Sequence, residues 1–275
     1  MVKTKVIAGF ILILAIVGGC GTSYSWSVIN ADASRTGVKP AKADNTEQAL
    51  GYVVDGTYYA PSGEVYSQGA TPQLASILIK AQPQMAPLKE VIAYAPKSMS
   101  SSYPQSELSN FTVDCIMSTT QKLTGKKVDV GIMNFGGIRC SIPQGDVLLD
   151  DIVSMFPFKN YLVYVAMEGD DLRELFEKMA SSKMQAVGGV EVVIKDDELE
   201  SLKVGGEEVD DDKIYGVASI DFLLRGGDNL NLADEAQDII YTGVLLKDCI
   251  LEKIYELSAA GMPLEYHLDD RIVIE

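Results

Sequence analysis

A strand-patterned run in the middle of the chain, with Val128, Val130 and Ile132 alternating with Asp129 and Gly131, passes without a break into Asn134-Phe135-Gly136-Gly137-Ile138-Arg139. Alternation of this kind marks a strand with two different faces. Paired glycines at its end let backbone N–H groups come close to a neighbouring element or a ligand. Such a strand needs cover, and the flanking sequence supplies it. Ser106 is placed to cap a helix on which Leu108, Phe111, Cys115, Met117 and Leu123 fall near helical spacing before Gly125. Residues 161–167 read as a second, more continuously apolar strand. Beyond Gly169, Leu172, Leu175, Phe176 and Met179 share one helical face. Residues 190–194 and 199–204 form a hairpin pattern around Asp196-Asp197, and 214–219 and 272–274 are further strands. A helix is expected over 243–260, stopped by Gly261 and Pro263. Residues 72–80 and 85–92 suggest helical pieces bounded by Pro83 and Pro87, and 51–67 a strand or hairpin. Helices and strands interleave without strict βαβ repetition. The expected fold class is therefore α/β of the α+β type, a mixed β-sheet flanked by helices, with no repeat and no second domain boundary inside 70–275.

The N-terminus reads differently. Lys3 and Lys5 precede an uncharged apolar run over 6–17. That run is shorter than the about 20 residues a bilayer span needs, and it matches a secretory signal. Its end, Val17-Gly18-Gly19-Cys20, resembles the lipobox of bacterial lipoproteins. The resemblance implies cleavage before Cys20 and acylation of its sulfur; an ordinary signal peptide or an uncleaved anchor are the alternatives. The expected organisation is a signal peptide over 1–19, a flexible tether over 20–50 and a folded domain over 51–275. The location it implies is the bacterial cell envelope, membrane-anchored on a periplasmic or surface side. Loss of Lys3 and Lys5 moves the formal net charge from −16 to −18. Nucleic acid is not an expected partner of so acidic a chain, because phosphate binding needs a basic face. Cys115, Cys140 and Cys249 are odd in number, so at least one thiol stays unpaired, and buried, inert cysteines are expected.

Catalytic groups are scarce. His267 is the only histidine. Triad chemistry would have to use it, and two-metal phosphatase centres lean on several imidazoles. It is expected at the surface or in a supporting position behind a site, and no metal site or catalytic residue is assigned to this chain. Three short segments remain. Gly136, Gly137 and Arg139 offer close backbone approach and a rigid guanidinium fork for phosphate or carboxylate. Phe156-Pro157-Phe158, followed by Lys159-Asn160, can present one ring rigidly while Phe156 packs in the core. Phe222 with Gly226-Gly227-Asp228 combines an aromatic ring with a carboxylate able to accept sugar hydroxyls. Taken singly, each segment reads more readily as a turn or as core than as a ligand site.

Their order resembles the C-terminal, substrate-binding domain of the 5′-nucleotidase/UDP-sugar hydrolase family. Residues 108–114 match a helix of that family, then come its N-x-G-G-I-R segment, its P-F turn at Pro157-Phe158 and an aromatic-x-x-x-G-G-D segment with Asp221 where asparagine is usual. The match runs over about 70–275. The resemblance implies a nucleobase held between Phe158 and Phe222, Asn134 reaching the base, Arg139 at the phosphate or sugar, and Asp228 on the ribose hydroxyls. Two features depart from the family. Ser98-Met99-Ser100-Ser101-Ser102 stands where some members carry a further arginine, and Arg225 sits inside the G-G-D loop, where it replaces the lost charge or blocks the pocket. Family enzymes also carry an N-terminal metallophosphoesterase domain with two metal ions, and the residues before the match hold no histidine. The expectation is a nucleotide-binding subunit of a split nucleotidase in nucleotide catabolism. Divalent metals would come only from a partner metallophosphoesterase. A non-catalytic nucleoside- or nucleotide-binding surface lipoprotein, or a degenerate structural domain, are the alternatives.

Overall fold

The computed structural model describes residue 41, residues 45–234 and residues 236–275. The expected signal peptide, Cys20 and most of the expected tether lie outside the described residues. Inside the stretch read as tether, Thr46–Leu50 forms a short helix (α1), closed where Gly51 N–H reaches the Glu47 carbonyl. Next comes a small antiparallel sheet of β1 (Tyr52–Val54), β2 (Thr57–Tyr59) and β3 (Val65–Tyr66).

Helix α2 runs through Pro83 as one element, Thr71–Met85. The helical expectation over 85–92 fails here. Ala86–Lys89 is a single 3₁₀ turn, and β4 (Val91–Ala95) is a strand. Five consecutive apolar residues carry no period that separates strand from helix. Helix α3 (Glu107–Thr124) has the expected Ser106 cap, whose hydroxyl accepts the Ser109 N–H while Ser109 Oγ accepts the Ser106 N–H. Gly125, in the left-handed region, ends it.

The remaining elements are β5 (Val130–Met133), β6 (Gly145–Leu148), α4 (Leu149–Met155), β7 (Tyr161–Glu168), α5 (Gly169–Ala180), β8 (Ala186–Gly188), β9 (Val190–Lys195), β10 (Glu198–Val204), β11 (Glu207–Glu208), β12 (Ile214–Ile220), β13 (Ala236–Leu245), α6 (Leu246–Ala259) and β14 (Ile272–Ile274). The helix expected from Gly243 starts only at Leu246, because 236–245 pairs with β7 as a strand and Gly243 takes a positive φ within its irregular end.

The central sheet has the order β13-β7-β12-β5-β8. Only β12 and β5 in it run parallel, with Val217 opposite Val130 and Ala218 opposite Gly131. A second sheet, β11-β10-β9-β14, and the pair β4-β6 complete the mixed α/β architecture. Six consecutive residues of β7, Leu162 to Met167, are buried, as befits a strand covered on both faces. Gly131 lets α3 lie directly on the sheet. A Cβ there would stand 2.5 Å from Val113 Cγ1 and 2.6 Å from Met117 Cγ.

The C-terminal segment is tied down electrostatically. The buried Arg271 donates to both oxygens of Asp114 (2.9 and 3.0 Å), to Asp269 and to the Val187 carbonyl, while the Tyr266 hydroxyl donates to Asp114 (2.6 Å). Burial works against the Arg271 charge, but the hydrogen bonds to Asp269 and Asp114 outweigh it and hold its pKa above the usual value. The Arg271 hydrogen bonds lower the pKa of Asp269, partly opposed by burial. Truncation in Arg271→Ala leaves two neighbouring carboxylates without their cation and should cost about 3 kcal/mol in urea unfolding. A depressed folded-state pKa stabilises above the unfolded carboxylate value of about 3.9. Asp269→Asn should therefore destabilise at neutral pH, and the difference from wild type should vanish as pH falls through the lowered folded pKa.

Candidate functional site

Because β12 and β5 are parallel neighbours, their C-terminal ends open on the same edge of the sheet. The loop after β5 carries Asn134 and the 3₁₀ turn Phe135–Gly137; the loop after β12 carries the 3₁₀ turns Asp221–Arg225 and Gly227–Asn229. β7 is antiparallel to β12, with Leu162 opposite Ile220, so the Phe158–Asn160 turn that precedes it reaches the same edge. Carboxyl ends of parallel strands are where open α/β sheets commonly bind ligands.

Three loops thus enclose a cavity of about 280 Å³, lined by Asn134, Gly136, Gly137, Arg139, Phe158, Asn160, Phe222 and Asp228. All seven ligand positions expected from the sequence stand on this one wall. Asn160 was not anticipated; a polar residue two places beyond Phe158 carries no pattern of its own. A larger hollow of about 480 Å³ lies beside Tyr52 and Tyr59, but it borrows none of these residues.

Phe158 and Phe222 remain 50% and 45% exposed, whereas Phe156 is buried, as expected. Two half-bare rings on one concavity leave apolar surface for a ligand to cover. Local contacts set each of them. The Arg139 guanidinium carbon lies 5.9 Å from the Phe158 ring centroid, and its Nη1 donates to the Gly136 carbonyl at 3.1 Å. The Phe222 ring packs on Gly227, where a Cβ would meet its edge at 2.5 Å and the Phe222 carbonyl at 2.3 Å. Asp221, in place of the usual asparagine, accepts the Tyr161 N–H at 3.0 Å and so joins the two aromatic loops. Asn134 is buried and donates through Nδ2 to Asp228 Oδ2 at 2.6 Å. Gln185, which the sequence did not single out, accepts the Phe135 N–H at 3.2 Å and holds the start of that turn.

The two departures fall outside the wall. Arg225 is exposed beyond the lining, so it neither plugs the cavity nor joins it, and Ser98 donates to the Ile142 carbonyl. His267 is exposed, stacked on Tyr266 at 5.1 Å. Cys140, expected to be buried, is exposed; it follows Arg139 on a surface loop and faces the Ser154 carbonyl at 3.7 Å. Cys115 and Cys249 are buried, and burial raises both thiols, Cys249 to about 11. Among the described residues, Glu168, Asp170 and Asp171 alone bring three acidic, imidazole or thiol groups together, and they sit at the far end of β7 from Phe158.

Comparison with known proteins decides the family. Residues 88–235 match the family model described as 5′-nucleotidase, C-terminal domain. The chain belongs to this family. Curated relatives include Protein UshA of Salmonella pullorum, 32% identical over 135 residues, which are 47% of this chain and 24% of that protein. Protein UshA of Escherichia coli is 33% identical over 122 residues, 42% of this chain and 22% of that protein. The chain thus spans about a quarter of the length of these relatives. Among solved structures, a 5′-nucleotidase precursor from Thermus thermophilus superposes with TM-score 0.66 at 24% identity, over 78% of this chain and 45% of that one. Haemophilus influenzae NAD nucleotidase gives TM-score 0.57 at 16% identity, over 80% and 48%. Both likenesses show the shared fold, a mixed sheet flanked by helices.

The loop glycines of this 5′-nucleotidase C-terminal domain differ in what they tolerate. At Gly136 an added Cβ would stand 3.4 Å from Asn134 Nδ2, ordinary contact. In urea unfolding, Gly136→Ala should be within about 0.5 kcal/mol of wild type, and Gly227→Ala should lose about 1–3 kcal/mol through overpacking. Equal costs at the two positions would contradict the packing described for Phe222.

Proposed function

We propose that the domain binds the nucleoside portion of a nucleotide and acts as the substrate-binding half of a nucleotide-hydrolysing system. In this reading the base stacks between Phe158 and Phe222, Asp228 accepts the ribose hydroxyls and Arg139 at the rim faces the phosphate. The observation that carries it is the meeting of seven residues, drawn from three loops up to 94 positions apart, on one cavity whose two rings stay half exposed. Family membership supports the nucleotide class.

The hydrolytic step is assigned to a metallophosphoesterase partner. A dinuclear centre needs several carboxylate and imidazole ligands, and the cavity lining offers one carboxylate, already engaged by Asn134, and no imidazole. The residues present do not fit such a centre. What this domain contributes is position. Holding the base and sugar fixes where the phosphate stands relative to the partner's metals, and orientation of this kind lowers the barrier. The lipobox-like Val17 to Cys20 supports a place in the cell envelope, tethered by lipid, where such a partner would be met.

Calorimetry with adenosine, AMP and UDP-glucose tests the site. Phe158→Ala and Phe222→Ala should each weaken binding by about 1–3 kcal/mol, the worth of one stacking face. Arg139→Ala should cost about 1.5 kcal/mol for AMP and little for adenosine, because only the nucleotide offers a charge for the fork. Unchanged affinities in all three variants would overturn the assignment. Mixed with a metallophosphoesterase-only protein of the same organism, the chain should raise AMP hydrolysis above that protein alone. Tight nucleoside binding with no rate change for any such protein would leave a binding domain and remove the split-enzyme reading.

A further inference from the structure

Within the lining of the cavity, Asn134 differs from every other polar residue. It is 5% exposed, while Asp228, its hydrogen-bond partner, is exposed. Its Nδ2 donates to Asp228 Oδ2 at 2.6 Å, and its Oδ1 is buried with no hydrogen-bond partner among the described residues. A buried acceptor without a donor works against folding, so this amide is not kept for its own satisfaction. Rotating it by half a turn would set its oxygen against the Asp228 carboxylate, which is repulsive. The carboxylate therefore fixes which way the amide points, and the amide in turn fixes the carboxylate. Asp228 itself sits at φ 48°, ψ 36°, a left-handed conformation that aspartate tolerates.

We infer that Asn134 is a positioning residue: it holds one oxygen of Asp228 so that the other, Oδ1, presents its lone pairs to a vicinal diol, and it thereby sets the selectivity of the cavity for ribose over sugars lacking those hydroxyls. This rests on the nucleoside reading above and assigns Asn134 to the sugar rather than the base. An ionised carboxylate on an exposed loop otherwise rotates freely, and a diol that binds it must first order it. With Oδ2 held at 2.6 Å, that ordering precedes the ligand. The two glycines leave room for the pair: a Cβ at Gly137 would crowd Asn134 Oδ1 at 3.0 Å, and one at Gly136 would stand in ordinary contact, 3.8 Å, with Asp228 Oδ2. No larger side chain separates the pair from the cavity.

The test compares dissociation constants of adenosine and uridine with those of their 2′,3′-dideoxy counterparts, measured by calorimetry on the full chain. Wild type should prefer the ribonucleoside by about tenfold, the effect of a charge-assisted hydrogen bond. Asn134→Ala and Asp228→Ala should each reduce that preference to within about twofold, and the double variant should reduce it no further. Phe158→Ala should weaken both members of each pair equally and leave the preference intact. Asn134→Asp, isosteric but bringing a second acceptor against Asp228, should also abolish the preference, and its melting temperature shows whether the fold survives where alanine does not. A preference unchanged in folded Asn134→Ala or Asn134→Asp, or equal loss for both sugars, overturns the inference while nucleoside binding stands. Wild type that binds no nucleoside overturns the functional reading, and this inference with it.

Discussion

The parallel pairing of β12 with β5 decides where every side chain of the cavity stands. Neither strand carries a ligand group in its body. What matters is that both end on one edge, and that β7 begins there because it is antiparallel to β12. A slip of one residue between β12 and β5 would turn each buried side chain of β12 to the opposite face. Val217 and Ala218, fully buried and opposite Val130 and Gly131, make that slip costly. The Ser219 hydroxyl reinforces the register by donating to the Ile132 carbonyl at 2.8 Å, and Asp221 binds the start of β7. The core thus fixes the geometry of a surface to which its own side chains contribute none of the expected ligand groups.

That division explains what could be read in advance. Helix α3, β7, α5 and the β9-β10 hairpin follow from periodicity and caps, because each has a face that only one environment satisfies. The seven cavity residues were legible only through the resemblance: the glycine pair, the Pro-Phe turn and the Gly-Gly-Asp turn follow the order of the 5′-nucleotidase C-terminal domain, while each segment alone carries little. Other features depend on partners distant in sequence. Strand β4 is a strand because β6 lies beside it, and residues 236–245 extend because β7 offers them an edge. Gln185 and Asn160 take on their roles only after the loops have met. The Asn134–Asp228 bond spans 94 positions, and no local pattern announces it.

The electrostatics of the cavity suit a ligand whose charge is peripheral. The formal net charge of the chain is −16, while the wall itself holds one cation and one anion, Arg139 and Asp228. Attraction of a nucleotide over long distances is therefore weak, and affinity must come from short-range contacts: ring faces, the diol and a single guanidinium. Stacking and diol hydrogen bonds are screened little by salt, unlike the phosphate contacts of basic nucleic-acid sites. In the reading proposed above, the domain would orient a nucleoside, with the phosphate projecting past its rim.

Fluorescence titration with 2-aminopurine riboside tests this central claim most directly, because stacking on an aromatic ring quenches that base. Saturable quenching that is insensitive to salt and lost when either Phe158 or Phe222 is replaced by alanine is the predicted result. Binding with no change in emission, or quenching that survives removal of both rings, would contradict the account.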